Sequence, residues 1–178
     1  MAYIGILTDS TALLSKPLYP GHENVHFIPL RIQVGQEIFP DSRDPKLFSQ
    51  IFKADGQFPV VLPPSAEDFY QTFWALSQKY HVILTILLSS HLNTAIQTAQ
   101  EAASYIRGPA TIHIIDSQTT AAGLGFLVQA AAEAIYNGWD INQVTSLVRG
   151  LIPHVYSVFC LQSLSYLATS GQIDIAQA

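Results

Sequence analysis

The chain is poor in charge, in cysteine and in basic clusters. Only 12% of its 178 residues are charged, against about 25% in typical soluble domains. Its 8 Lys and Arg residues form no cluster that could follow a phosphate backbone, so nucleic acid binding is not expected. The single cysteine, Cys160, excludes an internal disulfide and a cysteine-based zinc site.

Targeting and membrane signals are also missing from the sequence. The opening MAYIGILTDS has no basic segment, and its apolar run is too short for a signal peptide. No apolar run reaches the roughly 18 residues of a membrane span, so we expect a cytoplasmic protein. The low charge leaves two explanations open: a surface covered by a partner or a further domain, or an apolar interior that holds an apolar molecule.

Motifs that carry catalysis are hard to find. There is no G-x-S-x-G nucleophile elbow and no Walker sequence. Gly123 and Gly125 lack the third glycine of a dinucleotide-binding loop. Of the six histidines only His22 and His26 have a paired spacing, which favours a solvated pair over a metal site. We therefore expect a protein that is not an enzyme and has no metal or cofactor.

Short apolar runs alternate with helical patterns along the chain. Continuous apolar runs are typical of strands that are buried on both faces of a parallel sheet. Strands are predicted at residues 3–7, 25–34, 82–88 and 111–115, with a weaker candidate at residues 157–161.

The helical patterns have clear start and stop signals. Ser65 precedes an acidic first turn, and Asp140 with Gln143 forms a capping-box pattern. Helices are predicted at residues 66 to about 79, 93–107, 125–136 and from 141 onward. The alternation of strands and helices predicts an α/β fold, a mostly parallel sheet with helices on both faces.

Polar residues follow the predicted strands at their carboxyl ends. In open α/β sheets ligands bind at these ends, near helix N-termini that favour anions. Each cluster could equally be an ordinary helix cap, because Ser, Thr and Asp are the usual capping residues. The clusters are Asp9-Ser10-Thr11, Ser89-Ser90 and Asp116-Ser117.

Six segments resemble, in the same order, segments of the DegV family. Individually each match is weak, but together they cover nearly the whole chain. They are ILTDST at 6–11, FIPLRI at 27–32, PPSAEDF at 63–69, SSHLNTAIQTA at 89–99, IIDSQTTAAGLG at 114–125 and SYLATSGQI at 165–173.

This resemblance implies a fatty-acid-binding protein. DegV proteins have two α/β domains and hold a long-chain fatty acid, with its carboxylate near the domain junction and its tail in an apolar tunnel. They present the acyl chain to a separate fatty acid kinase and do no chemistry themselves. The resemblance implies that residues 1–178 form a single DegV-like domain and that the C-terminal family domain is absent. The predicted helix at 125–136 is apolar almost all round, which fits either a tunnel wall or a buried core helix.

Several positions depart from the family pattern. Where the family has Thr-Ser-Gln, with the Thr helping to hold the carboxylate, this chain has Val-Leu-Pro at 61–63. Gln172 replaces an Arg, and His91 replaces a Gly at the mouth of the pocket. Recognition of the head group is therefore expected to be weaker, while each buried CH₂ of a tail still contributes about 0.8 kcal/mol.

We therefore expect a bacterial lipid-binding protein with its ligand's carboxylate at the carboxyl ends of the strands. The alternative is a degenerate DegV-like interaction domain that has lost its ligand. Four aromatic residues at 69–74 either pack in the core or allow the chain to form a homo-oligomer. The candidate ligand-binding residues are Asp9, Ser10, Ser65, Ser89, Ser90, His91, Asn93, Thr94, Asp116, Ser117 and Gly123.

Overall fold

The computed structural model describes residues 3–14, 18–41, 59–108 and 110–158, together with residues 46, 160, 164, 168 and 174. The chain divides into two compact units. Unit 1 contains residues 1–29 and 63–157, and unit 2 contains residues 30–62 and 158–178. The described strands and α-helices are β1 (Ile4–Asp9), β2 (Val25–Ile28), β3 (Arg31–Val34), β4 (Glu37–Pro40), β5 (Val60–Leu62), α1 (Ala66–Ser77), β6 (Val82–Leu87), α2 (Ala95–Tyr105), β7 (Thr111–Asp116), α3 (Ala121–Tyr136) and α4 (Ile141–Leu151).

Unit 1 is built on a parallel sheet with the strand order β2-β1-β6-β7. Every residue of β1 and β6 is buried, as their largely apolar sequences predict. Helix α1 packs on α2, helix α3 packs on α4, and both pairs contact the sheet. The predicted α/β fold with a mostly parallel sheet and helices on both faces is confirmed.

The aromatic residues of α1 divide between core and surface. Phe69 and Phe73 are fully buried, and their ring centroids lie 5.8 Å apart. Tyr70 is half-buried, whereas Trp74 is 47% exposed. Core packing therefore accounts for two of the four residues, and a homo-oligomer formed through α1 stays a prediction.

The helix boundaries follow the predicted capping signals, with one exception. Ser65 and Asp140 begin α1 and α4 with complete capping boxes. Helix α3 begins at Ala121, four residues before its predicted start. Its early turns contain Gly125, which lies so close to the Leu13 backbone that a Cβ would overlap the Leu13 carbonyl oxygen. This glycine therefore serves close packing inside the helix and does not mark its beginning.

Unit 2 contains an antiparallel sheet that was not predicted, with the strand order β4-β3-β5. The predicted single strand at 25–34 was wrong, because β2 ends at Ile28 and β3 begins at Arg31 in the other sheet. Pro29, between them, has no N–H to donate to a ladder. Two alternate residues of β3 are buried and two are half-buried, which is typical of an antiparallel sheet with one covered face. Gly35, with φ of 60°, supplies the positive φ of the two-residue β3–β4 loop.

The weaker predicted strand at residues 157–161 is wrong wherever the structure describes it. Ser157, Val158 and Cys160 lie outside any strand, and Phe159 and Leu161 lie outside the described residues. A side-chain contact joins Ser157 to the rest of unit 1, since its hydroxyl lies 3.0 Å from the hydroxyl of Thr119. Gln172, which replaces the family Arg, also lies outside the described residues.

A tyrosine lies across the sheet of unit 1 and contacts a histidine. A Cβ at Gly5 would lie 2.6 Å from the Tyr80 ring, so only glycine leaves room for the ring over β1. The Tyr80 hydroxyl is 2.8 Å from His26 Nε2. The prediction of a solvated histidine pair is correct for the exposed His22 and wrong for the half-buried His26.

We expect His26 to make the fold less stable in mild acid. Burial lowers the pKa of His26 below its usual 6.5, and the nearby Lys79 ammonium lowers it further. As the pH falls below 6.5, the unfolded chain takes up this proton before the folded chain does, so the free energy of unfolding falls. Urea unfolding between pH 7 and pH 5 should show a smaller pH dependence in His26→Gln than in the unmodified protein. The exposed His22→Gln is the control, and an equal change in both variants would contradict this assignment.

Candidate functional site

The polar ends of three neighbouring strands of unit 1 lie together, as predicted for a parallel sheet. Residues 88–94 form the turn between β6 and α2, which we call the 88–94 turn. The backbone N–H of Leu88 donates to Asp9 Oδ2 at 2.7 Å, so the turn is joined to the end of β1. The Ser90 hydroxyl donates to Asp116 Oδ2 at 2.5 Å, so the turn is also joined to the end of β7. A carboxylate thus holds the turn on each side.

Asp9 is buried and bonded within the chain through both carboxylate oxygens. Its Oδ1 accepts from the Thr11 N–H at 2.9 Å and from the Thr11 hydroxyl at 2.6 Å, while Oδ2 accepts from Leu88. Burial raises the pKa of Asp9, and the hydrogen bonds from Thr11 and Leu88 oppose that rise. This arrangement fixes the geometry of the two strand ends.

Asp116 and the two buried serines are bonded in the same internal manner. Asp116 Oδ1 accepts from the Gln118 N–H at 2.9 Å, in addition to its bond with Ser90. The buried Ser117 hydroxyl donates to the Thr119 carbonyl at 3.1 Å. The buried Ser89 accepts from the His91 N–H at 3.3 Å, and its own N–H donates to the Thr119 carbonyl at 2.8 Å. The ordinary turn and capping roles therefore describe the geometry of Asp116, Ser89, Ser90 and Ser117 well.

Asn93 and Thr94 differ, because each keeps a side-chain donor. Asn93 Oδ1 accepts from the Ala95 N–H at 2.9 Å and caps the first turn of α2. Its amide nitrogen Nδ2 is buried and has no hydrogen-bond partner among the described residues. Thr94 is exposed and makes no side-chain capping bond. Uncommitted donors therefore lie at the N-terminus of α2.

The other candidate residues lie in the same unit with separate roles. The Ser10 N–H donates to the Ile28 carbonyl at 3.1 Å, next to the end of β2. Ser65 is bonded to Asp68 as the cap of α1. A Cβ at Gly123 would lie 2.5 Å from the Thr119 hydroxyl, so this glycine serves close packing at the start of α3. The side chain of His91 is exposed on the 88–94 turn.

Sequence reasoning placed Thr11 in the first polar cluster without giving it a role, and it missed Gln118, Thr119 and Ala121 as parts of this region. Thr11 and Gln118 follow Asp9 and Asp116 by two residues, and both N–H groups bond back to those carboxylates. That spacing is the signature of an Asx turn and could have been recognised. Gln118 and Ala121 have φ of 54° and 52°. Nothing in their residue types signals this left-handed backbone, which is uncommon outside glycine.

Two concave regions of unit 1 lie away from the 88–94 turn. One, of about 370 Å³, is lined by Ile4 at the amino end of β1 and by residues of the α3–α4 connection such as Trp139. The other, of about 380 Å³, is a shallow depression along residues 18–23 beside Tyr136. Neither contains any candidate ligand-binding residue.

The helices that the structure describes are each too short or too polar to span a membrane.

A family model matches almost the entire chain. The model described as "Uncharacterised protein, DegV family" matches residues 3–178. Protein DegV of Bacillus subtilis is 26% identical over 178 residues, which are 98% of this chain and 63% of the relative. A DegV domain-containing protein of Clostridium perfringens is 28% identical over 98% of this chain and 63% of the relative. The chain thus spans less than two thirds of the length of these curated relatives.

Solved structures share the fold. A DegV family protein from Thermus thermophilus, described as fatty-acid-binding, matches with a TM-score of 0.81 and 26% identity. The match covers 98% of this chain and 62% of that protein. The crystal structure of Bacillus subtilis DegV, described as a fatty acid binding protein, matches with a TM-score of 0.76 and 24% identity over 86% of this chain and 55% of that one.

Proposed function

The chain belongs to the DegV family, and we propose that it binds a long-chain fatty acid whose carboxyl end lies at the 88–94 turn. The fatty-acid-binding Thermus thermophilus relative supports the ligand class, since it shares the fold and 26% of the aligned residues. The position of the turn supports the site, because ligands of open α/β sheets bind at the carboxyl ends of the strands.

The observation that carries this proposal is the unpartnered amide nitrogen of Asn93. A buried donor without a partner costs about 1–3 kcal/mol. An oxygen atom of a ligand head group would satisfy it, at a helix N-terminus where partial negative charge is favoured. The exposed Thr94 hydroxyl offers a second donor one residue away.

The acyl tail requires apolar surroundings beneath this turn. Leu87, which directly precedes the turn, is fully buried, Leu124 in α3 is fully buried as well, and Ile96 in the first turn of α2 is 8% exposed. We propose that these side chains move apart when the tail enters, because all three are buried inside the folded chain. Each CH₂ that becomes buried contributes about 0.8 kcal/mol, which offsets the opening.

The proposal also covers catalysis, cofactors, the partner protein and the cellular location. We propose that the chain binds its ligand without chemically changing it and uses no other cofactor. A fatty acid kinase is the proposed recipient of the bound acyl chain, and the cytoplasm is the proposed location. A kinase that phosphorylates the carboxyl group needs access to it, which the exposed His91 and Thr94 on the 88–94 turn would allow.

Lipid analysis of the purified protein tests the proposed function. We expect solvent extraction after heat denaturation to release fatty acid, identified by mass spectrometry, in an amount approaching one molecule per chain. The delipidated chain should regain the ligand, so added palmitate or oleate should raise its unfolding temperature. A lipid-free preparation whose unfolding temperature does not respond to either fatty acid would refute the proposal.

Exchanging Asn93 for aspartate should weaken ligand binding in a chain that still folds. Asn93→Asp keeps an oxygen to cap Ala95 but removes the unpartnered N–H₂ donor. We expect the dissociation constant for palmitate to rise about tenfold or more, and the free energy of unfolding to fall by about 1–3 kcal/mol, because a carboxylate oxygen without a partner replaces the buried Nδ2. Asp140→Asn makes the reverse exchange at the cap of α4 and should leave binding unchanged. Equal affinity in Asn93→Asp and in the unmodified chain would remove Asn93 from the site.

A second candidate function is that of a degenerate interaction domain that has lost its ligand. The internal bonding of Asp9, Ser89, Ser90 and Asp116 favours it, because those groups are satisfied without a ligand. The two cavities described above also lie elsewhere. A folded chain that neither copurifies with lipid nor responds to added fatty acid would favour this candidate over the first.

A further inference from the structure

Two threonine hydroxyls are buried in the parallel sheet of unit 1 and have no hydrogen-bond partner among the residues that the structure describes. They belong to Thr8 in β1 and Thr85 in β6, and both residues are fully buried. A buried hydroxyl without a partner destabilises the fold, whereas valine would fill nearly the same space without that penalty. A polar group that enters the chain from outside would satisfy either hydroxyl.

The two threonines lie on opposite faces of the sheet. Gly5 faces the side on which α1 lies, because a Cβ there would meet the ring of Tyr80, three residues after the end of that helix. Side chains alternate between the two faces of a strand, so Leu7 shares the face of Gly5. Thr85 is paired with Leu7 and lies on this face too, whereas Thr8 lies on the opposite one.

Thr85 lies on the same face as the side chains proposed to receive the acyl tail next to the 88–94 turn. Leu87 follows Thr85 by two residues on the same face of β6. Ile96 belongs to α2, which packs on α1 on this side of the sheet. A tail that runs along β6 past Leu87 therefore meets the Thr85 hydroxyl.

Strand geometry gives the depth of this hydroxyl below the turn. A strand rises about 3.3 Å per residue, so Thr85 lies about 10 Å along β6 from Leu88, where the turn begins. An extended chain advances about 1.2 Å per bond. A fatty acid with its carboxyl group at the turn thus brings roughly its ninth or tenth carbon to Thr85.

We propose that Thr85 selects, among long-chain fatty acids, those that carry a hydroxyl group near the middle of the chain. This selectivity rests on the proposed function and names the substrate class of the same site. A hydroxyl is the matching group, because the Thr85 side chain both donates and accepts, and an alcohol does the same. A plain saturated tail leaves the Thr85 hydroxyl buried without a partner, so it binds less tightly.

The experiment compares stearate, 2-hydroxystearate and 10-hydroxystearate, each delivered from cyclodextrin to the delipidated chain, by calorimetric titration. We expect 10-hydroxystearate to bind about tenfold more tightly than stearate. We expect 2-hydroxystearate to bind like stearate, because its hydroxyl stays beside the head group and does not reach Thr85.

Two matched variants assign the preference to one hydroxyl. Thr85→Val removes the hydroxyl and keeps the shape of the side chain, so it should bind 10-hydroxystearate no better than stearate. It should also unfold at a higher temperature, because a buried hydroxyl without a partner is gone. Thr8→Val makes the same change at an equally buried position on the other face, and it should keep the tenfold preference.

The outcomes separate this selectivity from the proposed function. Equal affinities for stearate and 10-hydroxystearate in the unmodified chain would overturn the selectivity and leave fatty acid binding intact. A preference that survives in Thr85→Val, or that is lost in Thr8→Val, would overturn the role of Thr85. Binding of none of the three lipids would overturn the proposed function as well. The first comparison uses the unmodified chain, so it does not depend on whether either variant folds.

Discussion

Asp9→Ala should lower the free energy of unfolding by about 2–4 kcal/mol. The substitution leaves the N–H groups of Leu88 and Thr11 without their acceptor at the ends of β1 and β6, and each buried donor without a partner costs about 1–3 kcal/mol. Urea unfolding followed by circular dichroism measures the loss. Because Asp9 holds the 88–94 turn, we expect palmitate binding to weaken in the same variant.

Two further variants test whether the lower stability comes from the lost hydrogen-bond acceptor and not from the space that the smaller alanine side chain leaves. Asp9→Asn conserves the shape and can still accept from Thr11, but it points an amide at the Leu88 N–H, so we expect a loss of about 1–3 kcal/mol. Asp140→Asn keeps an N-cap acceptor at an exposed site and should change stability by less than about 0.5 kcal/mol. An Asp9→Ala protein as stable as the Asp140→Asn protein would show that Asp9 does not hold the strand ends.

Gly125→Ala should destabilise unit 1 by about 3 kcal/mol. Its new Cβ would overlap backbone atoms of Leu13, and backbone yields much less readily than the end of a side chain. Moving Leu13 also disturbs the bond from its N–H to the Ala121 carbonyl, which is 3.0 Å long. Overpacking of a closely packed interior typically costs about 1–3 kcal/mol, occasionally more.

Gly150→Ala is the matched control for that substitution. Gly150 lies in α4, and no heavy atom is within 4 Å of the position its Cβ would take. Alanine favours a helix over glycine by about 1 kcal/mol, so this variant should be more stable than the unmodified chain. Thermal and urea unfolding of both variants should give changes of opposite sign. Similar changes in the two would contradict the close approach of α3 to Leu13.

The sequence predicts the parallel sheet better than it predicts the antiparallel one. β1, β6 and β7 are largely apolar runs, with single polar residues such as Thr85 and His113, and each is followed by polar residues. Both the strands and the positions where they end could therefore be predicted. The split between β2 and β3 is not, because Ile28 to Val34 continues the same apolar pattern across Pro29. β4 and β5 have only four and three residues and are largely exposed. Strands that short carry too few buried positions to establish a period of two.

The candidate site could also be predicted only in part from the sequence. Clustering of Asp9, Ser90 and Asp116 follows from their positions after parallel strands, and the structure brings them together. Which of their hydrogen bonds are already formed inside the chain cannot be inferred, because Ser or Asp has the same appearance as a cap and as a ligand-binding residue. Asn93 stands out only once its amide nitrogen is found without a partner.

The central claim is that an acyl ligand is held with its head at the 88–94 turn. Amide chemical shifts of the isotopically labelled, delipidated chain, recorded by NMR during addition of palmitate at pH 6, test it residue by residue. We expect the largest changes at residues 88–95 and in the adjoining residues 116–119, and small ones at Trp139 and along residues 18–23. No change at any concentration of palmitate, or changes confined to Trp139 or residues 18–23, would contradict the claim.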